Sequence, residues 1–295
     1  MRGFLIFGVV LLIISPAKVP EICSNIVRNL NLDCVRTVPQ NSSISEDLSA
    51  LVCGITLSES KKKQNLTQVS LIHVFVVSGS HLVFVEQMIS VLLWFGPQRL
   101  RFLFHGITLL LFTLATGAQA PTIRAFLAWL FRILIRNRRL GWNAVEQVGV
   151  LSFLLLCSYP LWLNSISFLL SSLAALGMAQ NYFKTPAKKA VTLYLLMCPP
   201  LYFLATPHPI SILCNLFLLP VVGVILFPLA LFTVFFSWLL PVSEFFFEKF
   251  HSCLDYISDH LPSSATTTQS PPWLWVYFLS AFLLFVFLER RRKPE

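Results

Sequence analysis

An all-α polytopic membrane protein is the fold class this sequence predicts, and three observations predict it. Of the 295 residues, 56% are hydrophobic and only 12% are charged, whereas a soluble domain carries roughly 25% charged residues. Mean hydropathy is +0.74, so polar side chains are too few to cover a globule of this size. Apolar runs recur along the chain between short polar or proline-marked breaks, and the basic residues cluster at alternate breaks. The expected architecture is about eight to ten transmembrane or half-membrane helices, some of them broken, because a full span needs about 20 apolar residues. One interfacial amphipathic helix is expected beside them.

The amino end reads Met-Arg-Gly, then an apolar run over 4–14, then Ser15-Pro16-Ala17. Residues 1–17 are either a cleaved signal peptide or a retained first transmembrane helix, and both readings place residue 18 outside the cytoplasm. Residues 18–69 form a short extracytoplasmic segment, with a short helix near 46–58 and a polar, lysine-containing turn over 59–68. Cys23 and Cys34 lie in this segment and are a candidate disulfide in an oxidising compartment. Cys157, Cys198 and Cys214 fall in apolar segments and read as small core residues. No Cys-x-x-Cys occurs, so a structural zinc or thioredoxin-like reading has no support, and the sequence calls for no cofactor.

Residues 70–290 form the membrane domain. Its apolar segments fall near 70–95, 102–118, 121–135, 145–163, 165–183, 190–205, 210–222, 224–240 and 272–288. The loops 96–101, 136–143 and 184–189 are each basic, while 117–121, 160–165 and 206–209 carry no charge. The positive-inside rule makes the first set cytoplasmic, giving a multi-pass protein of the cell inner membrane. The stretch 210–240 is read as two short passes broken near Pro220 and Gly223, which places the basic tail 291–295 inside. Within 242–261, Phe246, Phe250, Cys253, Leu254 and Ile257 follow helical spacing while Glu244, Glu248, Asp255 and Asp259 fall off the stripe. This is the expected interfacial helix. Its His251, Asp255 and Asp259 can face one cation or, more simply, form a solvated acidic face.

Three constellations carry candidate chemistry. His73-Val-Phe-Val-Val-Ser-Gly-Ser-His81 sits in an apolar run, where an unpartnered polar group costs about 2–7 kcal/mol. Gly79 frees the backbone among Ser78, Ser80 and His81, which suits a broken helix lining a polar path. Ser and Gly also serve tight helix crossings, but packing does not require the two imidazoles. In Thr116-Gly-Ala-Gln-Ala-Pro-Thr-Ile-Arg124, Gly117 ends one helix and Pro121 starts the next. Arg124 then lies where the helix dipole repels cations. It needs an anionic ligand, a lipid phosphate, or a carboxylate such as Glu86 or Glu146, unless it snorkels to the surface. Asn215, five residues before Pro220, either contacts substrate or satisfies carbonyls within its own helix bundle.

The same stretches resemble the ComEC competence family, in the family's order. His73, Ser78, Gly79 and His81 match its His-x4-Ser-Gly-x-His, with Ser80 replacing a usual Leu. Thr116, Gly117, Pro121, Arg124 and Ala125 match its Thr-Gly…Pro…Leu-Arg-Ala. Asn143-Ala144, Ser171-Ser-Leu-Ala-Ala-Leu-Gly177 and the run from Ile210 through Asn215 to Pro220 are similar to later family stretches. Leu48-Ser-Ala-Leu-Val-Cys-Gly54 resembles the short helix ahead of the first motif. Leu169 stands where the family has Gln.

The resemblance implies an inner-membrane channel for uptake of single-stranded DNA in competence, and not an enzyme. It implies a DNA path near His73, Ser78, Gly79, Ser80, His81, Gly117, Arg124 and Asn215. The family's OB-like and metallo-β-lactamase-like domains have no counterpart in this sequence, so a minimal form is expected. No Gly-x4-Gly-Lys-Ser/Thr occurs, so a separate ATP-driven motor is expected as partner, with a DNA receptor and further copies of the chain. The alternatives are a small-solute membrane transporter, to which broken helices also point, and a membrane-embedded hydrolase. The hydrolase is disfavoured because Ser78 lacks a Gly-x-Ser-x-Gly setting.

Overall fold

The computed structural model describes residues 21–58, 61–69, 71–72, 79–138, 141–180, 185–202, 210–261 and 273–291. Every regular element among them is helical. In chain order these are α1 (Glu21–Thr37), α2 (Ser45–Leu48) continuing into a π-helical turn at Ser49–Cys53, α3 (Lys61–Gln68), α4 (Gly79–Leu92), α5 (Gln98–Ala115) and α6 (Ala120–Arg138). They continue with α7 (Ala144–Ser158), α8 (Ile166–Ala179), α9 (Pro186–Tyr202), α10 (Ile210–Val221), α11 (Phe227–Phe235), α12 (Leu240–Ser258) and α13 (Trp273–Arg291). The chain is thus all-α, as its composition predicts. By length and composition, two of the described helical stretches are long and apolar enough to cross a membrane, Leu216–Phe235 and Trp273–Arg291. The expected signal or first helix lies outside the described residues.

Three expectations are corrected. Residues 21–37 of the external segment form a 17-residue helix, α1, and residues 61–68 of the polar stretch form helix α3. Lys and Gln are good helix formers, and α3 docks through buried Asn65 and Leu66. The break expected near Pro220 and Gly223 does not turn the chain back. A π-helical turn at Val222–Leu226 joins α10 to α11, so Leu216–Phe235 runs as one helix. Gly223 serves packing there: a Cβ on it would fall inside the Phe84 ring.

The chain divides into two compact units. The apolar unit holds residues 127–204 and the carboxy-terminal helix. Leu169, Leu173 and Leu176 on α8 and Leu274, Phe278 and Phe285 on α13 build its core, each set following helical spacing. A Cβ on Gly149 of α7 would overlap the Phe282 ring, so glycine is what lets α13 lie this close. Asn143 caps α7 by accepting from the Glu146 amide, and the Glu146 carboxylate accepts from the Asn143 amide, a reciprocal capping box. Pro199 and Pro200 stand inside α9 and deprive the carbonyls of Leu195 and Leu196 of their helical donors. The Tyr277 hydroxyl of α13 offers its one hydrogen to this pair, 3.4 and 3.2 Å from the two oxygens. Cys157, expected in the core, lies on an exposed face.

The polar unit holds residues 24–126 and 205–265. Its α12 is amphipathic, but the inward stripe is Ser243, Phe247, Phe250, Leu254 and Ser258, which is rotated from the expected one and leaves Cys253 exposed. Polar groups fix α12 in place. Glu244 accepts from the Ser42 hydroxyl at 3.0 Å, Asp255 accepts from the Asn65 amide, and His251 Nε2 lies 3.1 Å from Asp47 Oδ1. Asp47 is fully buried and also pairs with Lys62 at 2.8 Å. The solvated or cation-binding acidic face expected from the sequence is therefore divided: His251 and Asp255 have protein partners on different elements.

Candidate functional site

The site grows from the turn between α5 and α6. Gly117 has φ +73° and Ala118 φ +50°, two successive left-handed residues. Glycine adopts this region without steric cost, while alanine there is strained. The turn reverses the chain within a few residues and starts α6 at Ala120, with Pro121 in its first turn. Thr116 and Thr122 are fully buried, and their hydroxyls donate locally, to the Thr113 carbonyl at 3.0 Å and the Gln119 carbonyl at 2.8 Å. Both threonines therefore hold the turn itself.

Arg124 follows one helical turn into α6. It is 8% exposed, so it does not snorkel to the surface. Its guanidinium approaches the amino end of α4: a Cβ placed on Gly79 would lie 3.2 Å from Arg124 Nη2, 3.2 Å from the Ala125 Cβ and 3.4 Å from the Pro121 carbonyl oxygen. A side chain at position 79 would be tight here and would require Arg124 or Ala125 to yield by a few tenths of an ångström. Gly79 and Arg124, taken from two separate motifs, thus meet in one place. Glu146, one carboxylate considered for Arg124, is engaged instead by the Asn143 amide and by Arg290 at 2.9 Å.

Ser80 stands on the first turn of α4. His81, just beyond it, is fully buried, with its ring centroid 4.6 Å from that of Phe227 and 6.4 Å from that of Phe84. Its imidazole packs α4 against α11. His73 and Ser78 lie outside the described residues. Asn215 lies on α10, and its side chain is outside them too.

The proposed Cys23–Cys34 disulfide is incorrect. Cys34 is bonded to Cys53, with the two Cα atoms 5.7 Å apart. Cys23 and Cys34 share helix α1; eleven residues at 1.5 Å rise separate them by about 16 Å, far beyond the roughly 7 Å limit for a bridge. The real bond ties α1 to the π-helical turn ending at Cys53.

Two further residues complete the junction. Gln119 donates through Nε2 to the Gly54 carbonyl. Asn31 of α1 donates through Nδ2 to the carbonyls of Cys53 at 2.8 Å and Ala115 at 2.7 Å. Gln119 falls inside a stretch already singled out, though nothing distinguished it there. Asn31 carried no sequence signal, because its partners are 22 and 84 residues away.

Helical throughout its described residues, with two stretches apolar enough to span a membrane and a buried Arg124, the chain falls in the class of all-α membrane proteins. The family is settled by comparison. The Competence protein family model matches residues 55–292, and the chain belongs to that family, the one its motifs resemble. It is a competence-related membrane protein. Neither a curated protein nor a solved structure matches it.

Proposed function

We propose that this protein is a multi-pass inner-membrane channel through which single-stranded DNA is taken up in competence, and that it acts as a conduit without catalysing a reaction. The observation that carries the proposal is Arg124, buried at 8% exposure beside Gly79 in a chain of the competence family. A strand bears one phosphate charge per nucleotide and needs an electropositive, hydrated route. A desolvated guanidinium attracts phosphate more strongly than a solvated one and presents a planar fork of donors. The driving force comes from a separate ATP-driven motor and the strand from a DNA receptor.

The Cys34–Cys53 bond supports an oxidising, external setting for residues 18–69. Because α12 bonds to Ser42, Asp47 and Asn65, residues 240–258 share that side. Leu216–Phe235 is one helix, and its end is tied to α12 by a hydrogen bond between Thr233 and Ser243. Its amino end is therefore cytoplasmic. On this reading the chain enters α10 from the cytoplasmic side, opposite to the charge-based expectation for 206–209. Reporter fusions at Asn137 and Pro207 should report the same compartment; opposite compartments would contradict this topology. For the function itself, deletion should abolish transfer of labelled DNA into the cytoplasm while surface binding persists. Undiminished cytoplasmic label would refute it.

A further inference from the structure

We infer that Asn31 is a positioning residue for Arg124; the inference rests on the channel reading above. The carbonyl of Ala115 ends α5, and that of Cys53 ends the π-helical turn. Carbonyls at helix ends lack intrahelical donors. Asn31 Nδ2 has two N–H bonds and uses them on these two oxygens, at 2.7 and 2.8 Å. The same amide lies against the left-handed turn: a Cβ placed on Gly117 would be 3.6 Å from Asn31 Nδ2. One side chain thus closes two helix ends and abuts the turn that launches α6.

Directly after Cys53, the Gly54 carbonyl accepts from Gln119, the residue preceding α6. Two successive contacts therefore link Asn31 to the helix that carries Arg124. The disulfide at Cys34, three residues along α1, holds α1 to the π-helical turn covalently. Loss of the Asn31 amide leaves α1 attached and releases only the carbonyls, so a variant at this position tests alignment and not docking.

The distinguishing variant is Asn31→Asp. Its carboxylate has no N–H and sets negative oxygens against two carbonyl oxygens; once protonated it regains one donor. The segments facing it, Ser49–Cys53 with Gly54 and Ala115 through Gln119, carry no charged residue. On α1 itself Arg28 bonds to Asn25 and Asp33 pairs with Arg36, and on α6 the nearest charge is Arg124.

Import of labelled DNA is measured in cells carrying the full chain, at matched protein level and with the disulfide verified by non-reducing gel. Asn31→Leu should import about tenfold less than wild type at every pH, because both part-buried hydrogen bonds of the amide are lost. Asn31→Asp, normalised to wild type, should be equally low near about pH 7.5 and recover severalfold by about pH 5.5, as a carboxyl group titrates upward from its ordinary range when its charged form is disfavoured. A flat Asn31→Asp profile, or wild-type import by Asn31→Leu, overturns the inference. Arg124→Ala is the separating arm. If it blocks import while Asn31→Leu does not, only the positioning role fails; if Arg124→Ala imports normally, the channel reading of the site fails as well.

Discussion

The polar and apolar units spend their interiors differently. The polar unit buries Asp47, Asn65, His81 and Arg124, and it holds its parts together by a disulfide, side-chain-to-carbonyl bonds and the half-buried Asp47–Lys62 ion pair. The apolar unit buries leucines and phenylalanines and achieves close approach with Gly149. It also buries the neutral polar residues Ser152, Ser172 and Gln180; its other polar groups serve the backbone, as Tyr277 does at the α9 prolines, or sit near the surface, as Arg290 does with Glu146. Buried ionisable groups are costly and concentrate where function needs them. The contrast lies in what is buried: charged and imidazole groups in the first unit, aliphatic, aromatic and neutral polar groups in the second.

The comparison can be broken by variants in either unit. The largest effect is expected from Gly149→Val. Overpacking costs about 1–3 kcal/mol, and more where no side chain can yield; here the valine meets a ring. The variant should be nearly absent from membranes by immunoblot, and Phe282→Ala should restore it. Normal accumulation of Gly149→Val would show that close packing does not govern this unit.

In the polar unit, Asp47→Ala leaves Lys62 and His251 facing an uncharged site. Removing one partner of a fully buried ion pair costs about 3–5 kcal/mol. Lys62 is 34% exposed, so about 2 kcal/mol is expected, read as a lower thermal midpoint of the purified protein. An unchanged midpoint would mean that α12 is held by its apolar stripe alone.

Tyr277→Phe removes the donor at the α9 kink and should cost about 1 kcal/mol with import unaffected. A large loss of import would move function into the apolar unit. The smallest effect belongs to Arg290→Ala. That side chain is 72% exposed, and surface pairs contribute about 0–1 kcal/mol, so no measurable change in midpoint is expected.

What the sequence disclosed follows from how local each signal is. Fold class came from composition, and the existence of α5 through α8 from the apolar runs between breaks, with ends off by up to five residues. The Gly117–Pro121 turn and the oddity of Arg124 were legible because helix-end chemistry is local. The disulfide was misassigned because α1 was read as irregular. Once Glu21–Thr37 is a helix, its two cysteines cannot meet. The pairs Asp47–His251, Asn65–Asp255 and Ser42–Glu244 join residues from opposite halves of the chain, which no periodicity reveals. The α12 stripe was right at Phe250 and Leu254 but wrong at Phe246, Cys253 and Ile257, because aromatic residues occupy adjacent positions 245–247 and give the helix two plausible apolar faces.

The central claim is that the buried charge at Arg124 is what the incoming strand meets. The most direct measurement is cytoplasmic import of labelled single-stranded DNA by wild type, Arg124→Lys and Arg124→Ala at equal membrane abundance. The account predicts a graded series: Arg124→Lys keeps part of the import, because a point charge remains while the planar fork is lost, and Arg124→Ala loses nearly all of it. Equal import by all three would contradict it.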